Sequence, residues 1–305
     1  MPEHLPHISV CICTYKRPGM LKTLLWELQK IETGGLFSYS AVIIDNDPEG
    51  SAKKTIEEIS SESIIRLEYH IQPQRSIALA RNMAVQKAKG DFVAFIDDDE
   101  FPVSEWLLNL YQACRDFKAD GVLGPIRPYF EVPPPDWVLK GRFCERPEYE
   151  TGTRLHWKRT RTGNVLLGRH LLEGEYPFNP QFASGGEDVN FFKEKTDMGY
   201  IFVWCNEAPV YEIVPPTRLR KSYFIKRLFL QGNISTQYQG TLDRFRDKAG
   251  SCIKSFTAFL LYSSILPFTL LAGVHIFMKY LLKDVYHVSR LLGILGFVDV
   301  KNRNI

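Results

Sequence analysis

Three short polar clusters each follow an apolar run. Thr14-Tyr15 follows residues 8–13, Asp45-Asn46-Asp47 follows 41–44, and Asp97-Asp98-Asp99-Glu100 follows 92–96. The last is the densest. In an extended chain successive side chains alternate in direction, so Asp97 and Asp99 face the same way. Two carboxylates at close range repel unless a cation neutralises them. Oxygen-only donors suit Mg2+ or Mn2+, and Mg2+ is commonly held by one or two carboxylates together with phosphates. The alternative is a solvated acidic turn capping a helix at Val103. The twelve-residue calcium loop, with its Gly and terminal Glu, does not occur in this stretch.

Two further groupings carry chemistry. Gly185-Gly186 stands before Glu187-Asp188, and glycine pairs let a backbone approach a ligand closely. Asp188 otherwise serves as the cap of a helix over 189–195. Arg75 and Arg81 flank the start of an alanine-rich helix, and a helix N-terminus with nearby guanidinium groups suits an anion. Their alternatives are plain surface charge, or an Arg81 that pairs with an aspartate of the cleft.

The elements that must position these residues follow from periodicity. Residues 8–13, 41–44, 64–69 and 92–96 read as strands, and 21–31, 52–59, 77–88 and 106–117 as helices. Strands alternating with helices of this length give βαβ units and a mostly parallel, Rossmann-like α/β sheet flanked by helices. In such a sheet ligands bind outside the carboxyl ends of the strands, where all three acidic or hydroxyl clusters fall. Later strands are expected at 122–123, 163–167 and 201–204. Residues 131–161, rich in Arg, Lys, Glu, Trp and Tyr without clean period, read as one long functional loop or lid.

The formal net charge is only +3, with 45% hydrophobic and 24% charged residues, so no basic field argues for nucleic acid. Six cysteines without a Cys-x-x-Cys pair read as small apolar residues in a reducing compartment. The N-terminus reaches its first strand with no signal-peptide core, which assigns the catalytic part to the cytosol. Residues 256–278 contain no Asp, Glu, Lys or Arg and are long enough to cross a bilayer, with Pro267 breaking them near the middle. Basic residues lie on both flanks, so spanning, re-entrant and interfacial arrangements all stay open. The alternative is a buried helix pair in a second soluble domain. The expected organisation is a catalytic domain over 1–215, a basic juxtamembrane linker over 216–250, and membrane-associated C-terminal helices over 251–305.

The stretches VCICTYKRP, RSIALARNMAVQKAKGDFVAFIDDDE and GGEDVNFFKEKTDMGYIFVWCNEAPVYEIVPP resemble family-2 glycosyltransferases with the GT-A fold, over roughly residues 7–215. The resemblance implies an inverting transfer from a nucleotide-sugar donor. It implies that Asp97 and Asp99 coordinate the Mn2+ or Mg2+ that holds the diphosphate, and that Asp45, with Thr14-Tyr15 beside it, lines the base and ribose pocket. It implies Asp188 as catalytic base, with Glu187 as its rival or as an acceptor-orienting group. Gly163-Asn164 resembles the strand lining the sugar and acceptor side. Where many members place a late metal-ligand His, this chain offers Glu212. The Gln-x-x-Arg-Trp motif of processive members does not follow Asp188, which points to addition of one sugar.

Chemistry agrees with that expectation. A leaving diphosphate needs a cation, and an acceptor hydroxyl needs a carboxylate to take its proton. The expected reaction is transfer of one sugar, from a UDP-sugar as the family's commonest donor, to a saccharide hydroxyl. The acceptor is expected to be lipid-linked, at the cytoplasmic face of a bacterial inner membrane, in surface polysaccharide assembly. Competing readings are transfer to a polyprenyl phosphate, and a catalytically silent membrane scaffold. A nucleotidyltransferase would need a longer Gly-rich, Arg-containing loop than CTYKRPG.

Overall fold

The protein is described here by a computed structural model covering residues 5–182, 185–237 and 245–297. The polar first four residues, Arg244 of the basic region and the end of the last apolar stretch, Val298, lie outside the described residues. The chain divides into two compact units, residues 1–129 with 145–213, and residues 130–144 with 214–305.

The first unit is built on a seven-stranded sheet in the order β3-β2-β1-β4-β8-β6-β9. Its strands are β1 (His7–Thr14), β2 (Ser38–Asp45), β3 (Leu67–Ile71), β4 (Phe92–Ile96), β6 (Gly121–Leu123), β8 (Asn164–Gly168) and β9 (Phe202–Trp204). All pairings are parallel except those of β8, which runs antiparallel to both β4 and β6. The central strands are apolar on both faces because both faces are covered. Val10 and Ile12 of β1 pack on one side with α1 (Pro18–Leu28), α2 (Lys53–Ser60) and α4 (Trp106–Asp116). Cys11 between them packs on the other, with α3 (Ile77–Lys87) and α6 (Glu187–Asp197). Leu21, Leu24, Leu25 and Leu28 of α1 are fully buried, and burying a leucine contributes about 2 kcal/mol. α3 carries Ala78, Ala80 and Ala84 on its sheet side, and the Cys11 thiol reaches the Ala84 carbonyl at 3.6 Å.

A second, three-stranded sheet was not legible in the periodicity. It is ordered β5 (Glu100–Pro102), β10 (Val210–Ile213), β7 (Ile126–Tyr129), with β10 antiparallel to β5 and parallel to β7. The acidic run therefore leads from β4 directly into β5 and does not cap a helix at Val103; α4 begins only at Trp106. The expected single loop over 131–161 is divided. Its first half holds α5 (Asp136–Gly141) and belongs to the second unit, while residues 145–161 belong to the first.

The second unit packs Val138, Val214, Leu219, Phe224, Met278 and Leu282 into one small core. Its long helices are α7 (Lys221–Gln237), α8 (Phe245–Thr269) and α9 (Val274–Ile294), with α9 against both of the others. The apolar run expected to break at Pro267 instead continues helical to Thr269 and turns at Gly273, whose φ of 105° suits a residue without Cβ. Pro267 sits in the last turn of α8, two residues before its end. The run is thus shared between two helices that pack together. Among the described residues one stretch, Lys248–Ala272, is long and apolar enough to cross a membrane, with mean hydropathy 1.6 and 11% of it buried. Phe256, Leu260, Leu261, Phe268 and Leu271 are exposed along it.

Candidate active site

The carboxyl ends of β1, β2 and β4 lie side by side. Thr14 pairs with Asp45 in register, and the Asn46 amide donates to the Thr14 carbonyl at 2.8 Å. β8 adds its own approach to this edge. Because β8 runs antiparallel to β4, Asn164 sits opposite Ile96, and residues 161–163 arrive beside the acidic run. A Cβ added to Gly163 would lie 3.1 Å from Glu100 Oε1 and 3.3 Å from Asp97 Oδ2.

Each aspartate of the run has a distinct environment. Asp98 is buried; it accepts a 2.8 Å hydrogen bond from the Thr14 hydroxyl and a 3.0 Å one from Arg17. Burial, opposed by Arg17 and reinforced by Asp99, pushes the Asp98 carboxyl up to about 6. Asp99 is buried and accepts from the same Arg17 nitrogen at 3.1 Å. Asp97 alone keeps its side chain 48% exposed, with the Arg81 guanidinium 3.8 Å away. Loss of water within the cleft raises Asp97; Arg81 and Arg146 hold it down while Asp99 and Glu212 add to the rise. Glu100 is pushed far above the usual carboxylate range by burial and by Asp97, with Arg146 opposing, and it accepts from the Asp97 amide at 3.2 Å.

Glu212 stands opposite Glu100 in the β5–β10 pairing and binds Arg146 at 2.5 Å. Its carboxylate is engaged by that guanidinium, and it raises Asp97 through space. Arg17 and Arg146 were not singled out in the sequence. A basic residue in the turn after β1, facing an acidic run after β4, was the available signal for Arg17. Nothing local marked Arg146, because its partner arrives from β10.

Gly185 and Gly186 take φ of 116° and 97°, conformations that L side chains rarely adopt, and this turn starts α6. Glu187, 2% exposed, is ion-paired with Arg81 of α3. Asp188 is partly exposed and accepts from the Val189 amide at 2.8 Å. Of the two acidic neighbours, Asp188 is the one with access to a ligand. Burial alone would lower the Arg81 pKa, but the Glu187, Asp188 and Asp97 charges outweigh it and raise it. Arg81 therefore links Asp97 to Glu187, the neighbour of Asp188, through one buried cation.

Other expected positions are used differently. Asp45 is fully buried and accepts from the Asp47 amide at 3.1 Å, the Ala52 amide at 2.7 Å and the Tyr69 hydroxyl at 3.0 Å, so it builds the loop it starts. Asp47 is 2% exposed, and its Oδ2 has no hydrogen-bond donor among the described residues. Arg81, expected to bind an anion, is committed to carboxylates of the protein. Arg75 is exposed, with its guanidinium 4.8 Å from the Tyr15 ring centroid, which keeps both at the β1 edge. Asn164, expected on the acceptor side, is fully buried. Its amide donates to the Pro125 and Ala208 carbonyls at 3.0 and 2.8 Å and accepts from the Trp106 indole at 2.8 Å. Both amide hydrogens are spent on the fold.

Among the described residues no group of three or more His, Cys, Asp and Glu side chains gathers as a closed metal cage. A divalent ion shared with a diphosphate needs no such cage, since one or two carboxylates complete its shell with phosphate oxygens and water. Half-exposed Asp97, crowded by Asp99 and Glu212, fits that requirement; Asp99 fits it to the extent that Arg17 shares its carboxylate.

Residues 9–172 match the family described as Glycosyl transferase family 2. The chain is 29% identical to the succinoglycan biosynthesis protein ExoM of Rhizobium meliloti, spanning 99% of this chain and 97% of ExoM. Its structure is similar to that of the mannosyltransferase PcManGT from Pyrobaculum calidifontis, solved with GDP-Man and Mn2+. The TM-score is 0.64 at 16% identity, covering 98% of this chain and 89% of that one. It is also similar to S. aureus TarS 1-349, solved with UDP-GlcNAc, at TM-score 0.53 and 15% identity over 95% of this chain and 92% of that one. At such identities the structural likeness speaks for the fold, the GT-A arrangement.

Proposed function

This chain belongs to glycosyltransferase family 2, and on that premise we propose that it transfers one sugar from a nucleotide-diphosphate donor to a saccharide hydroxyl with inversion, in polysaccharide assembly. A UDP-sugar is the donor and the acceptor is lipid-linked. The observation that carries the reading is Arg81, one buried cation between Asp97 and the Glu187-Asp188 pair.

Asp97, with Asp99 beside it, would hold Mn2+ or Mg2+, which when bound neutralises the diphosphate leaving group. Thr14, Tyr15 and Arg75 form the donor edge at the end of β1, and buried Asp47 offers an oxygen there for a base or ribose donor group. Asp188 takes the proton from the acceptor hydroxyl as its oxygen attacks the anomeric carbon. Glu187 is ion-paired with Arg81 and positions the turn that presents Asp188. Support comes from the GDP-Man and Mn2+ of PcManGT, the UDP-GlcNAc of TarS and the succinoglycan role in ExoM's name. The exposed apolar stripe of α8 and the basic residues around it support a membrane surface as partner of the second unit, at the cytoplasmic face.

Thermal shift of the full chain with a panel of nucleotide sugars, with and without Mn2+, tests the donor. A binder at one hundred times its Kd stabilises by about 2.7 kcal/mol. The expected result is a metal-dependent shift for uridine diphosphate sugars that Asp97→Ala abolishes. No metal-dependent shift with any nucleotide sugar refutes the reading. Equal transfer rates to soluble and lipid-linked acceptors would remove the lipid carrier.

A further inference from the structure

The approach to β8 carries a cation that has no partner among the described residues. Arg161 is partly buried, and its guanidinium has no hydrogen bond or ion pair among the described residues. Every other arginine at this edge is engaged: Arg17 with Asp98 and Asp99, Arg81 with Glu187, Arg146 with Glu212, and Arg75 over Tyr15. Burial and the like charge of Arg146 lower the Arg161 pKa to about 10, against the pull of Glu100, Tyr149 and Asp188. A desolvated, unpaired guanidinium is unfavourable in a folded protein. Thr162 adds to the imbalance, being 1% exposed with a hydroxyl that lacks a hydrogen-bond partner among the described residues. Gly163 then lies against Glu100 and Asp97. Residues 161–163 thus bring unsatisfied polar groups to the edge that holds the acidic run.

We infer that Arg161 binds an oxyanion carried by the acceptor, a phosphate monoester or a sugar carboxylate. The inference rests on the proposed reaction, because it takes the neighbourhood of Asp188 as the acceptor side. Arg161 follows a short turn at 157–159 that packs against α6, the helix carrying Asp188, whereas the Asp98-Asp99 side already has Arg17. A guanidinium fork matches phosphate and carboxylate oxygens in pairs, and an incoming oxyanion supplies the missing counter-charge. An acceptor so anchored is fixed relative to the base, which is how binding energy remote from the reacting atoms serves the chemical step.

The test uses the full chain saturated with UDP and Mn2+, with glucose 1-phosphate, glucuronate and glucose as probes in thermal shift. Wild-type protein is expected to be stabilised by one or both anionic sugars and not by glucose; the larger response identifies phosphate or carboxylate as the group read. Arg161→Gln is expected to fold with an unchanged or raised Tm, to lose the anion response and to keep its response to UDP and Mn2+. Arg161→Lys, which keeps charge without the fork, is expected to bind about tenfold more weakly. The inference falls if neither anion stabilises wild-type protein, or if Arg161→Gln responds to them as wild type does. It falls equally if Arg161→Gln loses its response to UDP and Mn2+, since the guanidinium would then serve the donor diphosphate. An anion response that depends on Arg161 in a protein unmoved by UDP and Mn2+ would overturn the proposed function and leave the anion site standing.

Discussion

Arg81 in α3 and Glu187 at the start of α6 form a buried ion pair across 106 positions of sequence. The pair ties α3 to the turn that presents Asp188. It also separates the roles of two adjacent carboxylates, since Glu187 is held inside and Asp188 is left accessible.

Breaking that pair and removing the proposed base therefore have different signatures. Glu187→Gln leaves Arg81 partly uncompensated and is expected to cost about 3 kcal/mol of stability. Asp188→Asn is expected to keep Tm and donor binding while transfer falls at least about a hundredfold. Denaturant melts and single-turnover transfer on both variants check this; normal turnover by Asp188→Asn would remove it as the base.

Asn164 is expected to behave as a structural residue. Asn164→Ala strands the Trp106 indole and the Ala208 carbonyl, each buried unsatisfied group costing about 1–3 kcal/mol, and leaves the Pro125 carbonyl with the Val210 amide alone. Tm should drop sharply while KM for the acceptor stays unchanged per folded molecule. A raised KM at unchanged Tm would restore it to the acceptor side.

A side chain at Gly163 fits only if its neighbours shift. An added Cβ would stand 2.8 Å from Ile126 Cδ1 as well as against Glu100 and Asp97. Gly163→Ala is expected to displace the carboxylates by a fraction of an ångström and lower kcat by about 10–100-fold. Mn2+ titration of donor binding should weaken in parallel.

Thiol chemistry provides a check on burial. Burial pushes the Cys13 and Cys205 thiols up to about 12 and Cys114 to about 11, and raises Cys11 well above the ordinary thiol range. At pH 8 a thiol of pKa 12 is thiolate in about one molecule in ten thousand. Iodoacetamide on the folded protein should label the partly exposed Cys144 and Cys252 first, read by mass spectrometry. The linkage follows the same sign. The fold favours the protonated thiols, so their contribution is full below the ordinary thiol pKa and is lost as pH rises towards 12.

Much of this architecture is a local matter and so was legible in one dimension. The apolar runs of β1, β2 and β4, buried on both faces, name a parallel sheet without reference to any partner. The polar residues that end them, Thr14, Asp45 and Asp97, must then emerge at one edge, because parallel strands share a carboxyl end. The glycine pair before Glu187 likewise declares a turn that only glycine adopts readily.

Which of those side chains remains available for chemistry depends on partners from elsewhere in the chain, and no local pattern encodes them. Asp45 is consumed by its own loop and Tyr69, Asn164 by Trp106 and two distant carbonyls, and Glu187 by Arg81. The antiparallel course of β8, which brings Arg161 beside the acidic run, and the β5–β10 pairing that sets Glu212 opposite Glu100, are matters of register and direction. Residue types and spacing determined that carboxylates would gather at a strand edge. Long-range pairing in the folded chain decided which stay open to a ligand, because a buried charge must find its counter-ion wherever the topology puts one.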